Sequence, residues 1–182
     1  MPVRRCEPAG RLLAVKMDSN LAGDNTNGLD SFTQVEGVDN VDLTGDNILR
    51  SRQYLDDANC DMEDRVMFVS PASLMSVYAI ERYRSNLYTS SSGTLPGNKG
   101  RGYVGRLIDV ACDLYETTNL EAGSAGKKNA MMHKEAIALI VQKEVTVDQR
   151  KPVNAIKTHL LAWQAYGFKK MRSTFGVEMD GK

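Results

Sequence analysis

Cysteine is scarce. Cys6, Cys60 and Cys112 are the only three in 182 residues, odd in number and far apart. That spacing fits neither a disulfide framework nor a zinc site, and it reads as free thiols in a reducing compartment. Net charge is also lacking, with 23 basic residues against 23 acidic ones. Bulk charge therefore gives no affinity for nucleic acid. The apolar stretch near the start, "LLAV" at 12–15, is too short for a signal-peptide core. Nothing elsewhere approaches the roughly 20 apolar residues of a membrane span. These absences predict a protein made in the cytoplasm without a membrane partner. No internal repeat and no heptad is present.

What is present suffices for one domain, or two small ones sharing a core, at 42% hydrophobic and 25% charged residues. The charge is segregated. Residues 17–64 carry twelve acidic residues against Arg50 and Arg52, while 127–182 carry eleven basic against five acidic. An acidic front and a basic back are complementary faces that suit self-association, or two faces that are simply solvated.

Along the chain, Leu12, Leu13, Val15, Met17 and Leu21 recur at helical spacing, like the last turns of a helix. A Gly-, Asn- and Asp-rich stretch follows and predicts a long polar loop up to residue 47. Thr44 or Asp46 can cap a helix over 46–59, with Ile48, Leu49 and Leu55 as its apolar stripe. "RVMFVSP" at 65–71 predicts a buried central strand over 65–70 that ends at proline. On that reading Val66→Asp costs several kcal/mol. Pro71 opens a helix over 72–84. Residues 85–105 form a Ser/Gly-rich loop, 106–116 alternate as one strand, and 144–150 alternate as another. The tail from Val153 is ambiguous: Ile156, Leu160, Leu161 and Trp163 line either a helix capped by Gly167 or a long strand.

The candidate chemistry centres on His133 and Glu135, two apart before an apolar run. They could be a metal pair, an acid–base pair, or two polar residues at a turn. A metal needs a third ligand, and the only other histidine, His159, has no acidic neighbour at a motif spacing. "GNKGRGYVG" at 97–105 has glycines but neither a Gly-Lys-Ser/Thr sequence nor the dinucleotide spacing, so it reads as a flexible loop. Ser70 lacks the frame of a nucleophile elbow. Met67, Met75, Met131 and Met132 read as core filler, and Trp163 and Tyr166 as core or interface anchors. Lys169, Lys170 and Arg172 beside Phe168 suit an intersubunit or solvated face better than nucleic acid. No catalytic set emerges, and no catalytic, cofactor or metal residue is assigned.

The order of these segments resembles one family. "ILRSRQYLDDANC" followed by "MEDRVMFVSPASLMSV", then "GRLIDVACDLYETTNL", "NAMMHKEAIALIVQKEVTVDQR" and "HLLAWQAYGFKKMRSTFGVEM" are similar to successive segments of tailed-phage major capsid proteins of the Hong Kong 97-type fold. The podophage members are the most alike. "RLLAVKMDSNLAG" resembles the end of that family's long spine helix. The N-terminal arm, extended loop and rest of that helix have no counterpart in the sequence.

The resemblance implies an α+β fold. Residues 1–39 would be the spine-helix end and loop of a peripheral domain, 40–133 an axial domain, and 134–182 strands of the peripheral domain. It turns the tail into a strand from about Ala155 to Tyr166, and makes His133 and Glu135 a turn between sheet strands, scaffold rather than chemistry. It implies a structural subunit without enzymatic activity or cofactor, located in a virion capsid and, during assembly, in the host cytoplasm. Its partners would be other copies in hexamers and pentamers, with scaffolding, portal and decoration proteins, and packaged DNA only non-specifically. An encapsulin-like compartment shell is the alternative on the same fold. A small cytosolic metal-dependent enzyme using His133 and Glu135 is the alternative from another class. With the arm and loop lacking a counterpart, the 182 residues alone are expected to be monomers or small, salt-sensitive oligomers at moderate salt.

Overall fold

The computed structural model describes residues 7–23, 26–84, 102–150 and 159–182. Helix α1 spans Glu7–Ala22 and is followed by a short 3-10 turn at Leu29–Ser31 and strand β1, Gln34–Gly37. The long polar loop expected there therefore holds structure. Its composition is polar, but Leu29, Phe32 and Leu43 are buried and pin it to the core.

Helix α2, Gly45–Asp57, starts where Thr44 accepts the Asn47 N–H at 3.3 Å, and it buries Ile48, Ser51 and Leu55 along one stripe. Strand β2, Arg65–Val69, leads into helix α3, Pro71–Ala79. Ser70 caps α3 by accepting the Ser73 N–H at 3.0 Å, with proline as the first helical residue. The expected helix over 72–84 is broken in two. Ile80 is extended and packs on the core, and a single turn, α4, follows at Glu81–Arg84.

The strand expected over 106–116 is instead a hairpin of β3, Tyr103–Leu107, and β4, Cys112–Glu116. Alternation of apolar residues through "LIDVAC" imitates one strand, but Ala111 adopts φ +54° and its N–H closes a turn onto the Ile108 carbonyl at 3.1 Å. Ile108 consequently lies in solvent while Val110 is buried. Strand β5 covers Lys127–His133 and β6 covers Ile137–Arg150, which takes in the expected strand at 144–150. The tail is a strand, β7, over His159–Lys170; residues 155–158 of the expected span lie outside the described residues. A 3-10 turn at Ser173–Phe175 then leads into β8, Gly176–Gly181.

Two sheets result among the described residues: a six-stranded one in the order β1-β8-β5-β2-β4-β3, and the antiparallel pair β6-β7. The divisions at 39/40 and 133/134 do not follow the sheets, since β1 and β8 both belong to the six-stranded one. Backbone pairing draws them in, β8 lying parallel to β1 and antiparallel to β5.

Strand β2 is central, as its apolar run predicts, but its two faces differ. Arg65, Met67 and Val69 are buried on one face, whereas Val66 and Phe68 are half-covered on the other. The costly substitution is thus at Met67, and Val66→Asp has a route to water. Arg65 is buried with two of its three guanidinium nitrogens partnered, while Nη1 has no hydrogen-bond partner among the described residues. It donates to the carbonyls of Cys60 at 2.6 Å and Asp61 at 2.7 Å, and pairs with Asp56 at 2.7 Å.

Candidate functional site

The six-stranded sheet fills its core in the ordinary way, and the β6-β7 pair does not. Leu139, Ile140, Val141, Val145 and Val147 of β6, with Leu160 and Leu161 of β7, are all substantially exposed, Ile140 by 70% and Leu161 by 60%. A two-stranded hairpin is marginal in water without further cover, and an apolar surface of this extent marks a contact face.

Register assigns these residues to two faces. Leu139 lies across from Phe168, Val141 from Tyr166 and Val147 from Ala162 on one face, which α1 crosses. There Asn20 donates to the Tyr166 hydroxyl at 2.8 Å and the Gln164 amide meets the Met17 sulfur at 3.6 Å. One helix covers only part of that face. The opposite face carries Ile140 across from Gly167, Thr146 from Trp163 and Asp148 from Leu161. Trp163 is fixed there by its indole N–H, which donates to Asp148 at 2.9 Å, and by the Lys143 ammonium 3.8 Å above its ring. Register shifts between Val141 and Thr146 bring Lys143 onto that face.

Two further features lie where α1 meets the six-stranded sheet. A cleft of about 680 Å³ opens there, with Phe68, Tyr115 and Met132 among its sheet residues and Val15, Asp18 and Leu21 among those of α1. Beside it Lys128 of β5 contacts Asp30 of the 29–31 turn and meets Glu178 of β8 at 3.1 Å. Burial alone would lower the Lys128 pKa, but hydrogen bonds to the two carboxylates outweigh it and hold the ammonium above its ordinary value. Burial pushes Glu178 up to about 7 despite Lys128, with Asp30 adding to the rise.

His133 and Glu135 do not converge on one centre. The His133 ring is buried edge-on to Phe175, centroids 5.9 Å apart, and its Nδ1 accepts the backbone N–H of Glu135 at 3.3 Å. The Glu135 carboxylate is exposed and faces Arg172 at 3.9 Å. Arg172 also lies 4.6 Å over the Phe175 ring. Among the described residues no group of three or more His, Cys, Asp or Glu side chains could hold a metal ion. Ser70 is a helix cap that also donates to the Lys182 carbonyl at 2.8 Å. Met67 and Met131 are core residues as expected, Met132 is half-buried, and Met75 is exposed. Cys60 and Cys112 are free and buried, and burial pushes the Cys112 thiol up to about 12. Residues 97–101 of the glycine-rich segment lie outside the described residues.

No protein-family model and no curated protein matches the chain. Solved structures do. A chain of Mycobacterium phage Che8 superposes with a TM-score of 0.71 at 19% identity, over 100% of this chain and 65% of that one. The capsid of the cyanophage P-SCSP1u gives 0.65 at 13% identity, over 100% and 66%. The holo-SrpI encapsulin complex of Synechococcus elongatus PCC 7942 gives 0.67 at 10% identity, over 98% and 65%.

The fold is the Hong Kong 97-type capsid fold. Its agreement with the phage and encapsulin chains runs through both sheets, since essentially the whole chain superposes. The chain spans just under two thirds of the length of these Hong Kong 97-type chains. What the sequence hid was the exposed hairpin. "IALIV" is an apolar run and "HLLAW" lies in a tail whose residues fit either a helix or a strand, and neither pattern says whether its apolar side chains are covered. In this chain both segments lie largely in solvent.

Proposed function

We propose that this chain is a structural subunit of an icosahedral shell, the major capsid protein of a tailed bacteriophage, and that it works by self-association rather than turnover. The observation that carries the reading is the exposed apolar β6-β7 hairpin on a Hong Kong 97-type fold. Burying one of its large aliphatic side chains against a neighbouring copy contributes about 1.5–3 kcal/mol, so a few such contacts per copy add up over a shell. In this reading the six-stranded sheet with α2 and α3 is the axial-type unit, and α1 with β6 and β7 is the peripheral-type unit. His133 and Glu135 are scaffold at the turn between them. Other copies are the principal partners, with scaffolding, portal and decoration proteins joining the shell in a virion.

The encapsulin chain supports a second reading, a compartment shell without a genome, because its superposition is as extensive as those of the phage chains. Sedimentation velocity and electron microscopy of the chain over a concentration and salt series test self-association. We expect concentration-dependent oligomers that Ile140→Asp disperses. An association state that Ile140→Asp leaves unchanged at every concentration and at low as well as moderate salt overturns the proposal. Protected DNA in assembled particles selects the phage reading, and its absence with a protein cargo selects the compartment.

A further inference from the structure

The 29–31 turn is the joint of the molecule. It follows α1, which lies on the β6-β7 hairpin, and precedes β1 of the six-stranded sheet. Both sheets hold it. From β7 the Lys170 ammonium donates to the Ser31 carbonyl. From β5 the Lys128 ammonium reaches Asp30, and the same ammonium meets Glu178 of β8 at 3.1 Å. Just past the turn Phe32 is buried so close over Gly176 that a Cβ there would fall 2.2 Å from its ring. The turn is thus docked on β8 by an apolar contact at one point and by a charged one nearby.

The charged contact is unbalanced. Two carboxylates share one ammonium, and both are shielded, with side chains 10% (Asp30) and 7% (Glu178) exposed. Asp180, on the same face of β8, adds a third acid with its own pKa raised by burial, and Asp39 adds to its load. Directly across from Glu178 stand Val35 of β1 and Ala130 of β5, which supply no charge. With both carboxylates ionised the triad carries a net −1 in a shielded place. One proton between them makes it neutral and supplies an O–H that can bridge the oxygens.

We propose that Asp30, Lys128 and Glu178 form a proton-operated latch between the two sheets: with one proton held by the carboxyl pair the turn is docked, and with both carboxylates ionised it releases. The proton lost on opening goes to solvent, and no other reactant is needed. The position of Glu178, pushed up to about 7, places the change near neutrality. Because its folded value lies above the unfolded one, the stabilisation is complete below the unfolded value and is lost as pH rises through about 7. The latch rests on the shell-subunit reading for its use, namely setting how firmly the hairpin is held to the sheet as copies pack together. Its test needs only the unassembled chain, so failure of the latch and failure of the shell reading are separately visible.

Amide exchange of the full chain, corrected for the intrinsic pH effect, is the measurement. We expect protection of residues 29–37 to fall at least about tenfold between about pH 5 and pH 8, with β2 unaffected. Glu178→Gln, which keeps a hydrogen-bond donor and cannot ionise, should flatten that dependence. An equal dependence in this variant overturns the latch. If it does not fold, the Glu178 carboxyl is titrated by carbon NMR in the unaltered chain and in Asp30→Asn. A midpoint at the ordinary carboxylate value, or one that Asp30→Asn leaves unmoved, also overturns it. A raised midpoint that falls in Asp30→Asn supports it.

Discussion

In the six-stranded sheet Met67, Val69, Met131, Val177 and Met179 are closed off from water, whereas in the β6-β7 pair Ile140, Val141, Leu160 and Leu161 stand in it. The residue types are alike, and only the cover differs. Helices α2 and α3 lie over one face of the first sheet, while α1 alone crosses the second. The first sheet is finished within one chain. The second has the size and apolarity of a sheet whose remaining layers come from elsewhere. On the proposed shell reading, stability and association are carried by different residues, and substitutions can separate them.

The largest contrast is expected from one carboxylate placed in each sheet. Met67→Asp buries an unpaired charge in the central strand and should cost on the order of 4 kcal/mol by urea unfolding, enough to unfold much of the population. Ile140→Asp should change the monomer's unfolding free energy by less than about 0.5 kcal/mol, and instead reduce association. Equal losses at the two positions would erase the distinction between the sheets. Next, Arg65→Ala removes the guanidinium from buried carbonyls and from Asp56, and is expected to cost about 3 kcal/mol. Calorimetry of the variant checks this, since a small loss would mean that water reaches those carbonyls.

Much of the six-stranded sheet and its helices was legible in the sequence alone. The strand–Ser-Pro–helix unit at 65–79 follows from its residues: an apolar run, a serine able to cap, and a proline suited to a first helical turn. The Thr44 cap and the stripe of α2 were equally open to inspection. The 106–116 segment failed because the turn at Ala111 uses no glycine, asparagine or proline to announce a positive φ. Strand β1 failed because its pairing is with β8, more than a hundred residues away, and nothing local in Gln34–Gly37 prefers it. The exposed hairpin could not be read at all. Apolar alternation tells which face wants cover, not whether the cover belongs to the same chain.

Two smaller effects sharpen the comparison within the finished sheet. Thr44→Ala should lower stability by about 1 kcal/mol through loss of the α2 cap, with no effect on association. Asp39 provides a pH test of opposite sign to Glu178. Hydrogen bonds from the Ala125 and Gly126 N–H groups, the former the stronger influence, hold its carboxyl below the ordinary value. Its contribution is present above the unfolded carboxylate range and is lost as pH falls through the lowered value. The amide resonances of Ala125 and Gly126 should therefore shift in acid, whereas the loss of protection at 29–37 comes near neutrality. A concerted shift of both would make the two sites one.

The place of β8 has a consequence for how the chain comes to be folded. It is an interior strand, inserted between β1 and β5, yet its residues, 176–181, are made after all the others of the sheet. Until they leave the ribosome, β1 has no partner and β5 keeps an open edge. Pairing across such sequence separations is slow, because loop closure must be completed before any contact rewards it. Strands β1 and β8, and with them the docked 29–31 turn, therefore join the sheet only after synthesis of that segment. Strands β6 and β7 are complete sooner, with their apolar surface exposed to every neighbouring nascent chain. Order of synthesis thus sets which surface is available first, and a chain interrupted before residue 176 would carry that surface and two unfilled strand edges together.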